Sequence, residues 1–152
     1  MSERSELADL YQEVVLDHGK RPRNFGPLPG ENHRAEGQNP LCGDRITVHA
    51  RVEEGRLVEV RFEGSGCAIS KASASVMTGV VKGKTAPEID ALFERFHRLV
   101  TEGPGPDDAE ALGKLAVFAG VHEFPTRVKC ASLAWHALRQ ALRGAQGPVS
   151  TE

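Results

Sequence analysis

The chain has 152 residues, with 19 Lys plus Arg against 21 Asp plus Glu and a formal net charge of -2. That length suits one domain with a core large enough to stand without disulfides, and the near-balanced charge excludes a polyelectrolyte tail and offers no basic face for general nucleic-acid binding. Hydrophobic residues make up 39%, charged residues 26% and aromatics only 5%, so the core is aliphatic and small-residue, and no run of about 18 apolar residues provides a membrane span.

Met1 to Leu10 mixes Glu, Arg and Asp without an apolar stretch, which argues against a secretory signal and for the cytoplasm. Over 5–18, Leu7, Leu10, Tyr11, Val14, Val15 and His18 mark one face of an amphipathic helix that Gly19 is expected to stop. The stretch from Gly19 to Gly30 is rich in Pro and Gly and reads as an extended loop. Residues 45–63 read as a β-hairpin: Ile46, Val48, Ala50 and Val52 alternate with polar residues, Glu54-Gly55 turns the chain, and Val58, Val60 and Phe62 alternate again. One apolar and one charged face imply an antiparallel sheet with a wet side. The segment around His33 to Gln38 adds a third strand.

Gly64-Ser65-Gly66 breaks the hairpin. Ala68 to about Val81 is an Ala- and Ser-rich helix, and Thr85-Ala86-Pro87-Glu88 is a capping box opening another. Asp107-Asp108 starts a further helix with Leu112, Leu115 and Ala116, and a last helix runs from about Lys129 to Arg143. The tail after about 144 is expected to be flexible. Strands together with helices following give an α+β class: a small three-stranded antiparallel sheet with about five helices, in a single domain over 1–152.

The three cysteines, Cys42, Cys67 and Cys130, are too few and too odd in number for a disulfide framework. They admit three readings: buried structural thiols, metal ligands or reactive thiols. Each sits at a punctuated position: Cys42 in the loop Asn39-Pro40-Leu41-Cys42-Gly43-Asp44, Cys67 after Gly64-Ser65-Gly66, and Cys130 at the expected start of the last helix. Helix-terminal N–H groups and nearby cations favour thiolate, the form that binds metal and attacks sulfur. Three thiolates need one more ligand for a tetrahedral site, and Asp44 is within reach of the same ion as Cys42; it serves equally well as a strand-entry carboxylate. No Cys-x-x-Cys zinc-finger pattern occurs. His18, His49, His97 and His136 read as surface or packing residues, with His49 on the charged side of the hairpin; Trp135 and Met77 read as core. Lys20, Arg21 and Arg23 form a basic cluster on a solvated loop, which could also dock an acidic partner.

In order along the chain, Asp17-His18, Pro22-Arg23-Asn24, Cys42-Gly43-Asp44, Gly66-Cys67 and Lys129-Cys130 resemble the U-type iron–sulfur cluster assembly proteins (IscU, SufU and the NifU N-terminal domain) from about Leu10 to Leu142. The strings Gly64 to Ser75 and Arg127 to Trp135 are most similar to the SufU branch, as is the long segment between Cys67 and Cys130. The scaffold branch carries a His before its third cysteine; here that residue is Lys129, which cannot supply an imidazole ligand.

The resemblance implies a metal site at one end of the sheet, holding zinc through Cys42, Asp44, Cys67 and Cys130. It implies a pyridoxal-phosphate cysteine desulfurase as partner, whose persulfide sulfur passes to a cysteine of this chain and on to a downstream cluster scaffold or apo-protein. Such a chain is not an enzyme by itself; at most it is a sulfurtransferase acting with the desulfurase. The alternatives are a scaffold on which a transient [2Fe–2S] cluster, or iron, is held, and a structural zinc module. The apolar helices suffice to fold the chain without metal, which weighs against the last. Arg127 and Lys129 are the expected partner-facing residues. Cys42 is the expected sulfur acceptor, because a loop between Pro40 and Gly43 moves more easily than a helix N-terminus, and a thiolate stabilised at a helix end is a weaker nucleophile.

Overall fold

The computed structural model describes residues 13–40, 43–105, 107–144 and 149–150. Residues 13–20 are helical (α1), followed by β1 (His33–Asn39), β2 (Asp44–Glu53), β3 (Arg56–Ser65), α2 (Ala68–Val81), α3 (Ala86–Glu102), α4 (Asp108–Leu112), a 3₁₀ stretch (Gly113–Glu123), α5 (Pro125–Arg143) and β4 (Val149–Ser150). Among the described residues, no helix is long and apolar enough to cross a membrane.

The sheet order is β3-β2-β1-β4. The three expected strands pair antiparallel, with Val48 opposite Phe62 and Ala35 opposite Val48. Beyond the three expected strands, Val149–Ser150 pairs parallel to Gly37 and Gln38 on the outer side of β1. The hairpin turn has positive φ at both central residues, 52° at Glu54 and 79° at Gly55, the type I′ form whose twist matches its strands. Alternation fixes the buried face: Ile46, Val48, Ala50, Val60 and Phe62 all turn inward under the helices.

α5 lies over this face and against α2, with α3 beyond it. Trp135 stacks on Phe96 at 5.2 Å, and Phe96 meets Phe118 edge-on at 5.8 Å, so these three rings form one layer between helices, while Phe25 meets Phe62 edge-on at the sheet. α2 packs closely because its inward residues are small: Ala72, Ser73 and Ala74 are wholly buried, and the Ser73 hydroxyl donates to the Ala131 carbonyl. The Thr85 capping box forms as its sequence dictates, with Glu88 N–H bonded to Thr85 Oγ1 and Thr85 N–H bonded to Glu88 Oε1.

Three expectations need correction. α1 runs through Gly19 to residue 20; Gly19 is not its stop but a close contact, where a Cβ would lie 3.3 Å from the Ala68 carbonyl oxygen. The earlier part of that helix, 5–12, lies outside the described residues. The helix begun at Asp108 ends after Leu112, where Gly113 takes φ 56°, and Leu115 and Ala116 continue in the 3₁₀ stretch. α5 begins at Pro125 rather than near Lys129, because proline at the first helical position loses no hydrogen bond and its φ is already set. His49 stands on the charged side of the hairpin as expected and is packed there, 4% exposed, with Nδ1 2.5 Å from Glu31 and Nε2 2.7 Å from Glu63, because the loop carrying Glu31 covers the polar side of β2.

Candidate metal centre

The earlier start of α5 changes the setting of Cys130. It falls in the second turn rather than at the helix N-terminus, and it is wholly buried, with Sγ 3.9 Å from the Thr126 carbonyl one turn back. The helix-terminus argument for its thiolate therefore does not apply. Cys67 sits where expected, as the residue capping α2 in an extended conformation, half-buried. Both are thiols rather than halves of a disulfide. Cys42, expected as ligand and sulfur acceptor, lies outside the described residues; the chain places it between Asn39, the last residue of β1, and Asp44, the first of β2.

Strand register brings the rest together. Asn39 and Asp44 are the terminal cross-strand pair of β1 and β2, and Arg45 pairs with Ser65 at the end of β3, two residues before Cys67. Asp44 shares the inward face of β2 with Ile46 and Val48, so a carboxylate stands on the core side at 2% exposure. On β1 the inward residues are Ala35, Gly37 and Asn39. At Gly37 a Cβ would come within 2.9 Å of Leu133 Cδ1, so the bare glycine lets α5 settle onto β1, and Cys130, one turn before Leu133, comes down over the strand ends.

The carboxylate of Asp44 organises the cluster. Its Oδ1 accepts the backbone N–H of Cys67 at 2.8 Å, its Oδ2 lies 4.0 Å from Cys67 Sγ, and Asn39 Nδ2 donates to Oδ2 at 3.4 Å. The ligand atoms of Asp44, Cys67 and Cys130 all lie within 4.8 Å of one another. Donors of a tetrahedral zinc with bonds of about 2.3 Å stand about 3.8 Å apart, so small adjustments suffice. The donor set fits: thiolates with one carboxylate suit zinc or iron. A buried carboxylate is costly without a cation, and no Lys or Arg forms an ion pair with Asp44 among the described residues.

Other residues singled out from the sequence lie elsewhere. Asp17, His18, Arg23 and Asn24 clamp the loop after α1 onto the fold: Arg23 pairs with Asp17 at 2.7 Å, His18 Nδ1 and the Arg23 N–H both meet Ser75 Oγ, and Asn24 Nδ2 donates to Thr78 Oγ1. Burial, reinforced by Arg23, pushes the His18 imidazole below its ordinary range. Arg127 is exposed in the first turn of α5, one turn before Cys130, its N–H bonded to the carbonyl of the exposed Phe124, and Lys129 is half-buried. Two residues of the site escaped the sequence reading. Gly66 leaves room for the Asp44 carboxylate, and Asn39 joins it to Cys130. The Asn39-Pro40 step at a strand end was the available signal for the second.

These elements describe a small α+β protein with thiols and a buried acid gathered at one end of its sheet. The model of the NifU-like N terminal domain matches residues 10–131, and the chain belongs to that family. It is 42% identical over 139 residues to the iron–sulfur cluster assembly scaffold protein IscU of Streptococcus pyogenes serotype M1, covering 91% of this chain and 86% of that one. It is 38% identical over 147 residues to the zinc-dependent sulfurtransferase SufU of Bacillus subtilis (strain 168), covering 97% and 99%. A solved structure described as an iron–sulfur cluster assembly scaffold protein for the SUF system, FiSufU from Fervidobacterium islandicum AW-1, superposes with a TM-score of 0.79 at 34% identity, covering 86% of this chain and 94% of that one.

Proposed function

We propose that the chain is one U-type domain acting as a zinc-containing sulfur acceptor in iron–sulfur cluster assembly. In this reading it takes sulfur from a pyridoxal-phosphate cysteine desulfurase and passes it to a downstream scaffold or apo-protein. The observation that carries the reading is the convergence of Asp44, Cys67 and Cys130 within 4.8 Å at the strand end next to which Cys42 lies in sequence. Cys42, Asp44, Cys67 and Cys130 would hold the ion, which keeps bound sulfurs deprotonated at neutral pH.

Cys42 is the sulfur acceptor in this reading. Cys130 is 0% exposed and beyond the reach of a partner's persulfide, and Cys67 is half-buried against Asp44 at the start of α2. The Cys42 thiolate attacks the outer sulfur of the partner's persulfide. The partner's S–S bond breaks, its cysteine leaves as a thiolate, and the outer sulfur, with its proton, is carried as a persulfide on Cys42. No net oxidation occurs. Arg127 and Lys129, on the first turns of α5, face the partner.

Incubation with desulfurase and cysteine, followed by mass spectrometry, tests this assignment. A persulfide mapped to Cys42 and lost in Cys42→Ala is expected; one mapped chiefly to Cys67 or Cys130 would overturn it. The second reading is a scaffold for a transient [2Fe–2S] cluster, favoured by the 42% identity to a protein named for that role. Lys129 weighs against it, since no imidazole precedes Cys130.

A further inference from the structure

Asn39 is wholly buried at the end of β1, yet only half of its amide is used. Nδ2 donates to Asp44 Oδ2 at 3.4 Å and to Cys130 Sγ at 3.5 Å. Oδ1 is buried with no hydrogen-bond partner among the described residues. The reverse orientation of the amide would set its oxygen against a carboxylate oxygen, so the donor side faces the cluster. A buried acceptor left unpaired costs stability, and what offsets that cost here is the pair of donor contacts to the metal-centre side chains.

We infer that Asn39 is a positioning residue of the metal centre: its two amide hydrogens tie the β2 carboxylate to the α5 thiol and fix their spacing before an ion arrives. The inference rests on the metal-centre reading above. The two acceptors come from different elements, β2 five residues away and α5 91 residues away, and no other side chain among the described residues bonds to both. Asp44 is thereby held at both oxygens, Oδ1 by the Cys67 N–H and Oδ2 by Asn39. That leaves the carboxylate no freedom to rotate away from the two sulfurs. Donated hydrogens also offset the negative charge that builds up when a thiolate and a carboxylate share an ion, as outer-shell partners do at metal sites generally.

The test uses the full-length, metal-free protein, titrated with zinc against a chromogenic chelator and separately with cobalt. Asn39→Leu keeps similar bulk without the donor; Asn39→Ala guards against a variant that overpacks. Each is expected to lower zinc affinity by about 10- to 100-fold and to move the sulfur-to-cobalt charge-transfer band to longer wavelength. The metal-free Asn39→Leu protein is expected to stay folded with a cooperative transition, because removal of the unpaired Oδ1 acceptor offsets loss of the donor to Asp44 Oδ2. Unchanged affinity and an unmoved cobalt band in a folded variant would overturn the role of Asn39 while leaving the metal centre standing. A lower midpoint of the metal-free variant with the wild-type cobalt band would show an ordinary structural residue and also overturn it. Failure of the wild-type protein to bind either ion would overturn the metal-centre reading, and the inference with it.

Discussion

A Cβ on Gly66 would stand 2.4 Å from Asp44 Oδ1 and 3.0 Å from its Cγ. The carboxylate occupies the space a side chain would take, and that is how it reaches the Cys67 N–H. Gly66→Ala must push Asp44 aside. Overpacking of this kind costs about 1–3 kcal/mol, and zinc affinity should fall at least tenfold. A chelator competition assay checks the affinity, and a urea titration checks the stability.

Removing the carboxylate itself separates site from fold. The core of Ile46, Val48, Phe62, Phe96 and Trp135 does not depend on Asp44. Asp44→Ala should therefore leave a cooperative, folded domain by circular dichroism while zinc content drops well below one per chain. Loss of the fold together with the metal would make the site structural instead.

Arg127 and Phe124 are residue types that anchor interfaces, both exposed at the start of α5, with Phe124 59% exposed. Arg127→Ala should raise the concentration needed for half-maximal stimulation of a cysteine desulfurase by about tenfold, or ~1.4 kcal/mol. Zinc content should not change, because Arg127 is not among the clustered donors. Unaltered stimulation would remove Arg127 from the interface.

His136 sets a pH dependence away from the metal. Burial pushes its imidazole below the ordinary 6.5, and the nearby Arg139 and His97 add to this. The unfolded chain therefore takes up the proton first as pH falls, so stability is present above about pH 6.5 and is lost on acidification toward the lowered folded value. His18 acts with the same sign. His136→Gln should flatten part of the fall in thermal midpoint between about pH 7 and 5; an unchanged slope would assign that fall to other groups.

The hairpin and its turn were legible because a period of two with Glu54-Gly55 between has one favourable folding, and the Thr85–Glu88 box because capping is local chemistry. Proline gave a less definite signal: Phe124-Pro125 reads as a break or as a helix start, and only the packed α5 shows that Cys130 lies inside it. The covering of His49 by Glu31 and the bridging by Asn39 depend on register between segments, which no local pattern carries. Cys42, Cys67 and Asp44 were findable because each sits beside Gly, whereas Cys130, flanked by Lys129 and Ala131 inside α5, joined the set through the Lys129-Cys130 motif. Gly66 was visible as a strand break, but its contact with Asp44 was not.

Metal and acid-labile sulfide content, measured on wild-type protein purified without oxygen, bears on the zinc relay without any substitution. One zinc per chain and no sulfide is the expected result, with zinc lost in Cys67→Ala and Cys130→Ala. Iron with an equal amount of sulfide, and no zinc, would contradict the relay and assign the chain to cluster scaffolding.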